Sequence, residues 1–249
     1  MDHFFTPPVE TDDLGRALIA PYPLRKLEAA LVRAGFKTWV VPPEKIRRVI
    51  EREGVRVVGV SVHDPLGIEP VSLKLSMIFG GGETWTAKFF RELMRELSLL
   101  KNRHGFRIIV GGPGAWQLIN NDSDYNDAID ILFMGEGEKT LPKIIDKIIS
   151  GKHVPRIVKG ENPSVEEIPP IINPARLGET QITRGCPRGC WFCSVTPETF
   201  RSIPIEIIKK EVEVNLRAGI KRVEFITDDV LLYGSEKLRV NHDAIVKLY

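Results

Sequence analysis

"VRVVGVSV" (Val55–Val62) holds five valines in eight residues, with a single charged side chain. A run this short, β-branched and without polar alternation is the pattern of a strand buried on both faces of a parallel sheet. The flanking sequence supports that reading. Upstream, "PEKIRRVIEREG" (43–54) has apolar residues at helical spacing and closes on Gly54. Before it, "FKTWVV" (36–41) reads as a strand, "LRKLEAALVRAG" (24–35) as a helix ending at Gly35, and "RALIA" (16–20) as a first strand. Downstream, a long polar helix over about 84–103 leads to the strands "FRIIVGG" (106–112) and "AIDILFMGEG" (128–137), then to the helix "EKTLPKIIDKIISG" (138–151). Five strand–helix units with short loops predict an α/β domain over residues 1–151, doubly wound and Rossmann-like (flavodoxin-like) with a parallel sheet.

The pattern then changes. Residues 152–178 are rich in proline and lack periodicity, so a linker is expected there. A second region, 179–249, opens with the strand "ETQITRG" (179–185). A helix within "IPIEIIKKEVEVNLRAG" (203–219), the strand "IKRVEFITDD" (220–229) and the helix "NHDAIVKLY" (241–249) follow. Strand, loop, helix, strand, helix is the opening of a βα-barrel. A full eight-unit barrel takes about 250 residues, so the chain is expected to be the N-terminal part of a longer enzyme.

Composition narrows the class. With 249 residues, 43% hydrophobic and 27% charged, the chain is in the ordinary globular range. A net charge of +2 gives no strong attraction to nucleic acid or to an anionic membrane. The N-terminal stretch has no basic region followed by an apolar core, and no apolar run approaches the roughly 20 residues of a membrane helix. A cytoplasmic protein is the expectation.

All three cysteines lie within "TRGCPRGCWFC" (183–193), as Cys186, Cys190 and Cys193 at C-x3-C-x2-C. An odd number cannot be fully paired, and clustered unpaired thiols fit a reducing compartment. Structural zinc wants four ligands in separated pairs; here no fourth cysteine exists, and His153 and His242 carry no pairing motif. An iron–sulfur cluster suits thiolates at these loop spacings better. Three thiolates on a four-iron cluster leave one iron open to a small molecule. Zinc and incidental cysteines stay open as alternatives.

C-x3-C-x2-C with an aromatic residue (Phe192) before the last cysteine resembles the signature of radical S-adenosylmethionine (radical SAM) enzymes, and "RGCPRGCWFC" resembles the form common in the cobalamin-binding subgroup. The resemblance implies that Cys186, Cys190 and Cys193 hold a 4Fe–4S cluster whose fourth iron binds S-adenosylmethionine. Reduction of the cluster, by an external electron donor, then cleaves that cofactor to a 5′-deoxyadenosyl radical. The segments "VRVVGVSV", "IIVGGPGAW" and "IDILFMGEGEKTLPKII" resemble the cobalamin-binding domain that precedes many such barrels. The loops bearing Ser61, Gly111, Gly112 and Gly135 would then border cobalamin, where a backbone without side chains can approach a ligand. The pattern departs from the family in lacking D-x-H-x-x-G after the first strand; "SVHDPLG" (61–67) places His63 after the third. Cobalamin without a protein histidine below the cobalt, and a domain that keeps the fold without the cofactor, are both consistent with this. The implied activity is cobalamin-dependent methyl transfer. The alternatives are non-methylating radical chemistry (cyclisation, rearrangement, sulfur insertion) or a non-catalytic iron–sulfur module. The substrate is not legible.

Weaker signals stand beside these. "GGGE" (80–83) reads as a flexible lead-in to a helix or as an anion-holding loop. Asp228 and Asp229, at the carboxyl end of the second barrel strand, are placed either to accept hydrogen bonds from the cofactor's ammonium or ribose, or as surface turn carboxylates. Arg184 and Arg188 flank the cysteines and either favour thiolates or are simply solvated. Trp39, Trp85 and Trp116 read as packing residues, and "EKIRRVIERE" (44–53) as a solvated helix face.

Overall fold

A computed structural model of the chain describes residues 8–123, 125–193, 200–236 and 238–249. It divides into two compact units. One joins Arg16–Val40 to Asn162–Tyr249; the other is built on Val41–Glu161. Among the described residues no helix is long and apolar enough to cross a membrane.

The Val41–Glu161 unit is α/β, with one four-stranded parallel sheet. Strands β1 (Val57–Ser61), β2 (Arg107–Gly111), β3 (Ile131–Met134) and β4 (Ile157–Lys159) lie in that spatial order. The valine run thus becomes β1, aligned with β2 so that Val58 faces Ile108 and Val60 faces Val110. β2 and β3 are buried on both sides, but β1 lies at the sheet's edge with Val58 buried and Gly59 and Ser61 exposed, so the expected burial on both faces is corrected there. Val58, Ile108, Val110 and Leu132 share one core with helix α2 (Pro43–Glu53), through Ile50, and with helix α4 (Trp85–His104). Helix α4 contributes Phe90, Met94, Leu97 and Leu100, spaced as a single apolar stripe. The Thr84 side chain caps its start by accepting from the Ala87 N–H, and Gly105 ends it in the left-handed region at φ 72°. The other side of the sheet buries Ile109, Ile131 and Phe133. Helices α3 (Pro70–Ile78) and α5 (Leu141–Ile149) complete the unit.

Three expectations are corrected here. The stretches 16–20 and 36–41 are not strands; Ala17 and Ala20 form only isolated bridges, to Thr11 and Ala175. Backbone groups that a ladder would use are taken locally: the Arg25 guanidinium donates to the Ala17 and Leu18 carbonyls at 2.7 and 3.0 Å. Trp39 meets the cations of Arg16 and Lys37 over its ring in place of a sheet neighbour. The sheet gains its fourth strand from 157–159, inside the segment read as a linker. The order β1-β2-β3-β4 has no reversal, so the expected doubly wound topology is absent among the described strands.

In the other unit, β5 (Glu179–Gln181) pairs in parallel with β8 (Glu224–Ile226), joined through helix α6 (Ile205–Arg217), with helix α7 (His242–Leu248) after them. A two-residue antiparallel ladder joins β6 (Thr183–Arg184) to β7 (Arg201–Ser202). Helix α1 (Tyr22–Arg33), expected in the first domain, belongs with this unit. Its polar face is buried. Lys26 Nζ lies 2.7 Å from Glu211 Oε1, and both side chains are at most 2% exposed. Lys26 also donates to the Pro169 carbonyl at 2.5 Å. Glu211 accepts the Tyr22 hydroxyl at 2.8 Å and the Ile171 N–H at 3.2 Å, which completes the pair with hydrogen bonds. Burial, then the Glu211 charge, pushes the Tyr22 hydroxyl well above its ordinary pKa. Asn215 accepts the Ala175 N–H at 2.8 Å, so the segment around 169–175 is packed rather than free-running.

Candidate functional site

The ladder between β6 and β7 makes the cysteine segment leave and return at one place, directly after β5. Gly185 and Gly189, at φ 77° and 61°, take left-handed backbone just before the first two cysteines. The Cys193 N–H donates to the Cys190 carbonyl at 3.0 Å, closing a turn over the C-x2-C pair. All three thiols are free; Cys186 is half-buried, and Cys190 and Cys193 are exposed. Trp191 and Phe192 meet edge to face at 5.6 Å, and Phe192 is 74% exposed.

A second segment, 227–234, frames the first. Thr227 and Thr183 share a hydroxyl hydrogen bond at 2.6 Å. Thr227 also accepts the Asp229 N–H at 3.2 Å. Asp229 Oδ1 accepts the Leu231 N–H, and its Oδ2 accepts both Nε, at 2.8 Å, and Nη2 of Arg188. Farther along, the Tyr233 hydroxyl donates to the Ile203 carbonyl at 2.9 Å, and the Gly234 N–H to the Ser202 hydroxyl at 2.8 Å. Arg184 points elsewhere, donating twice to Gln181 Oε1. The carboxylate of Asp229 pushes the Arg188 guanidinium further above its ordinary pKa. Asp228 accepts no hydrogen bond among the described residues, and protein crowding around its carboxyl raises its pKa.

Among the described residues no three His, Cys, Asp or Glu side chains converge on a metal-binding geometry. The fit to a cluster therefore rests on the donor set: three free thiols within eight residues, on one loop, with no imidazole or carboxylate in it. That set suits iron–sulfur ligation.

The other residues singled out from the sequence collect at the carboxyl edge of the four-stranded sheet. Ser61 pairs in register with Gly111, Gly111 with Phe133, and Gly135 follows β3 directly. Ser61 and Gly135 are exposed, and Gly135 has φ 86°. At Gly112 a β-carbon would lie 2.5 Å from the Val62 carbonyl. At Gly114 it would lie 1.9 Å from that of His63. These glycines let two loop backbones pack. His63 is exposed, 3.4 Å from Glu69. Within "GGGE", Gly80, Gly81 and Gly82 all have positive φ, and Glu83 pairs with Arg91. Trp85 stacks on Phe89 beneath Lys88, and Trp116 is half-exposed.

Sequence reasoning missed the Arg188–Asp229 pair as a pair, although each residue had been singled out. It also missed Asp64, which is 5% exposed and accepts from Gln117 Nε2 and the Ile68 N–H, both at 2.9 Å. Burial pushes its carboxyl up, but hydrogen bonds from Ser72, Gln117 and the backbone outweigh that and hold it below the usual range. The D-P-x-G turn signal in "SVHDPLG" is the clue that was available.

No protein-family model matches the chain. The chain is 26% identical over 216 residues to a tRNA-2-methylthio-N(6)-dimethylallyladenosine synthase of Fusobacterium nucleatum, covering 84% of this chain and 47% of that protein. It is 30% identical over 149 residues to an uncharacterized methyltransferase of Synechocystis, covering 55% of this chain and 27% of that one. Among solved structures it is similar to the radical S-adenosylmethionine methyltransferase TsrM of Kitasatospora setae, which carries a tryptophan substrate and a S-adenosylmethionine analogue. The TM-score is 0.62 at 18% identity, over 86% of this chain and 46% of that chain. That last likeness is one of fold. The chain spans about half the length, or less, of the proteins it matches. These relatives are enzymes, in agreement with the expectation of an enzyme and with the resemblance carried by the cysteine motif.

Proposed function

We propose that this chain is the cluster-holding portion of a radical S-adenosylmethionine enzyme that transfers a methyl group, with cobalamin as carrier. The observation that carries the reading is the C-x3-C-x2-C segment of free thiols, set between β6 and β7 beside the end of β8. Cys186, Cys190 and Cys193 would hold a 4Fe–4S cluster, which when bound supplies the electron that cleaves S-adenosylmethionine. The chain's own residues orient that cofactor. Asp228, exposed and without a protein partner among the described residues, offers a carboxylate to its ammonium or ribose hydroxyls. Phe192 offers an aromatic face beside Cys193. In the other unit, Ser61, Gly111 and Gly135 sit at an open strand edge that suits the border of a large ligand such as cobalamin, while Gly112 serves packing. Three free thiols suit the reducing cytoplasm.

A second reading is radical chemistry without cobalamin, such as sulfur insertion. The methylthio synthase among the relatives favours it.

The test is anaerobic reconstitution of the full-length enzyme with iron and sulfide, followed by reductant, cobalamin and S-adenosylmethionine, with the nucleosides identified by mass spectrometry. Cys190→Ala is the cluster-deficient control. 5′-Deoxyadenosine with S-adenosylhomocysteine that forms only when cobalamin is added is the expected result. The same two nucleosides without cobalamin, or 5′-deoxyadenosine alone, move the assignment to the second reading, and a cluster-loaded enzyme that makes neither overturns both.

A further inference from the structure

We infer that Arg188 and Asp229 form a clamp that positions the cysteine segment against the carboxyl end of β8, so that Asp229 is a positioning residue and not a cofactor ligand. This rests on the cluster reading above and adds to it a device that the motif does not contain. Among the described residues, the Arg188–Asp229 pair is the one side-chain hydrogen-bonded link from residues 185–193 to any other part of the chain. Both guanidinium nitrogens converge on Oδ2, while Oδ1 takes the Leu231 N–H, so the carboxylate's acceptors already face protein. Asp229 is itself held: its own N–H donates to Thr227, which is bonded to Thr183 at the base of the cysteine segment. Below it, Tyr233 and Gly234 bond to Ile203 and Ser202, immediately after the segment returns. The described part of the segment is thus fixed at its base by a ladder and at Arg188 by one ion pair.

The pair is too exposed to act through global stability. Arg188 is 49% exposed and Asp229 19%, and ion pairs of this kind add little to folding. Their effect is local, on where Cys186 and Cys190 stand relative to β8. A guanidinium suits the task because its planar fork fixes orientation as well as distance.

Two readouts test the clamp on the full chain, using Arg188→Ala, Asp229→Ala, the double alanine variant and the swap Arg188→Asp/Asp229→Arg. The first is the rate at which iodoacetamide labels each cysteine in metal-free protein, read by peptide mass spectrometry. Arg188→Ala removes a positive charge near the thiols, and Asp229→Ala removes a negative one. A purely electrostatic influence therefore shifts labelling in opposite directions. Loss of a clamp shifts both the same way, exposing half-buried Cys186 about two- to fivefold faster, the range expected of one exposed ion pair. The double variant should be no faster than either single, and the swap should return toward wild type. Opposite shifts, additive effects or unchanged rates overturn the clamp. The second readout is chelator-driven cluster loss after reconstitution, with the electron paramagnetic resonance line shape recorded on adding S-adenosylmethionine. Both alanine variants should lose iron faster and broaden the signal. If wild-type protein takes up no iron and sulfide, the cluster reading fails, while the labelling experiment still decides the clamp.

Discussion

Lys26 and Glu211 show how far a single residue's role can lie from its neighbourhood in sequence. In "LRKLEAALVR" the charged positions look like the wet side of an amphipathic helix, and nothing local says otherwise. The partner of Lys26 is 185 positions away, and Glu211 has no solvent exposure at all. Removing one member of such a pair leaves an uncompensated buried charge. Lys26→Ala is therefore expected to destabilise the fold by about 3–5 kcal/mol, read as a lowered urea midpoint with unchanged slope. A loss below about 1 kcal/mol, the range of an exposed pair, would mean that the pair is hydrated in solution. The cysteines are the opposite case. Their grouping was legible because all three thiols fall within eight residues, whereas Asp229, 41 positions from Arg188, could be placed near them but not paired.

Elements were legible where one pattern dominated. Helix α4, expected as a long polar helix over about 84–103, spans Trp85–His104, and β1 declared itself through its valines. Short runs such as "RALIA" and "FKTWVV" failed because strand-like composition does not supply a ladder partner, and a guanidinium or a cation over a ring satisfied them instead. Junctions between elements depend on groups with no periodicity. Asp130 is one: it accepts Lys101 Nζ at 2.6 Å, Arg107 Nη1 at 2.6 Å and the Ile108 N–H at 2.8 Å, joining the end of α4 to the starts of β2 and β3. Burial pushes its carboxyl up, but these donors outweigh burial and hold it below the usual range. A carboxyl lowered on folding stabilises above its unfolded pKa of about 3.9. That contribution disappears as pH falls through the folded value. Asp130→Asn should lower the melting temperature at neutral pH and narrow the gap to wild type as the solution is acidified toward pH ~3. An equal loss at every pH would show that shape, not charge, is what Asp130 contributes.

At the scale of the whole chain, the boundary expected near residue 151 is replaced by an interleaved arrangement, in which Val41–Glu161 lies in sequence between two parts of one unit. Composition could not reveal this, because proline-rich 152–178 looks like a linker whether it hangs free or carries β4 and the packed segment around Ile171. Every strand of the four-stranded sheet, and the core shared by α2 and α4, lies within residues 41–161. That stretch, expressed alone, is expected to unfold in urea as a single cooperative transition. A broad, non-cooperative melt would show that it depends on the flanking unit.

The buried lysine also imposes an order of events on synthesis. Helix α1 leaves the ribosome well before its partner: the carboxylate that neutralises Lys26 follows 185 residues later. At about 5–20 residues per second that is a wait of roughly 10–40 s. Over that interval Lys26 lacks its carboxylate, while residues 41–161, which hold the whole four-stranded sheet, are made. The unit built on residues 41–161 is thus made before the other unit can close, because the charge that closes it follows 185 residues behind the lysine it meets.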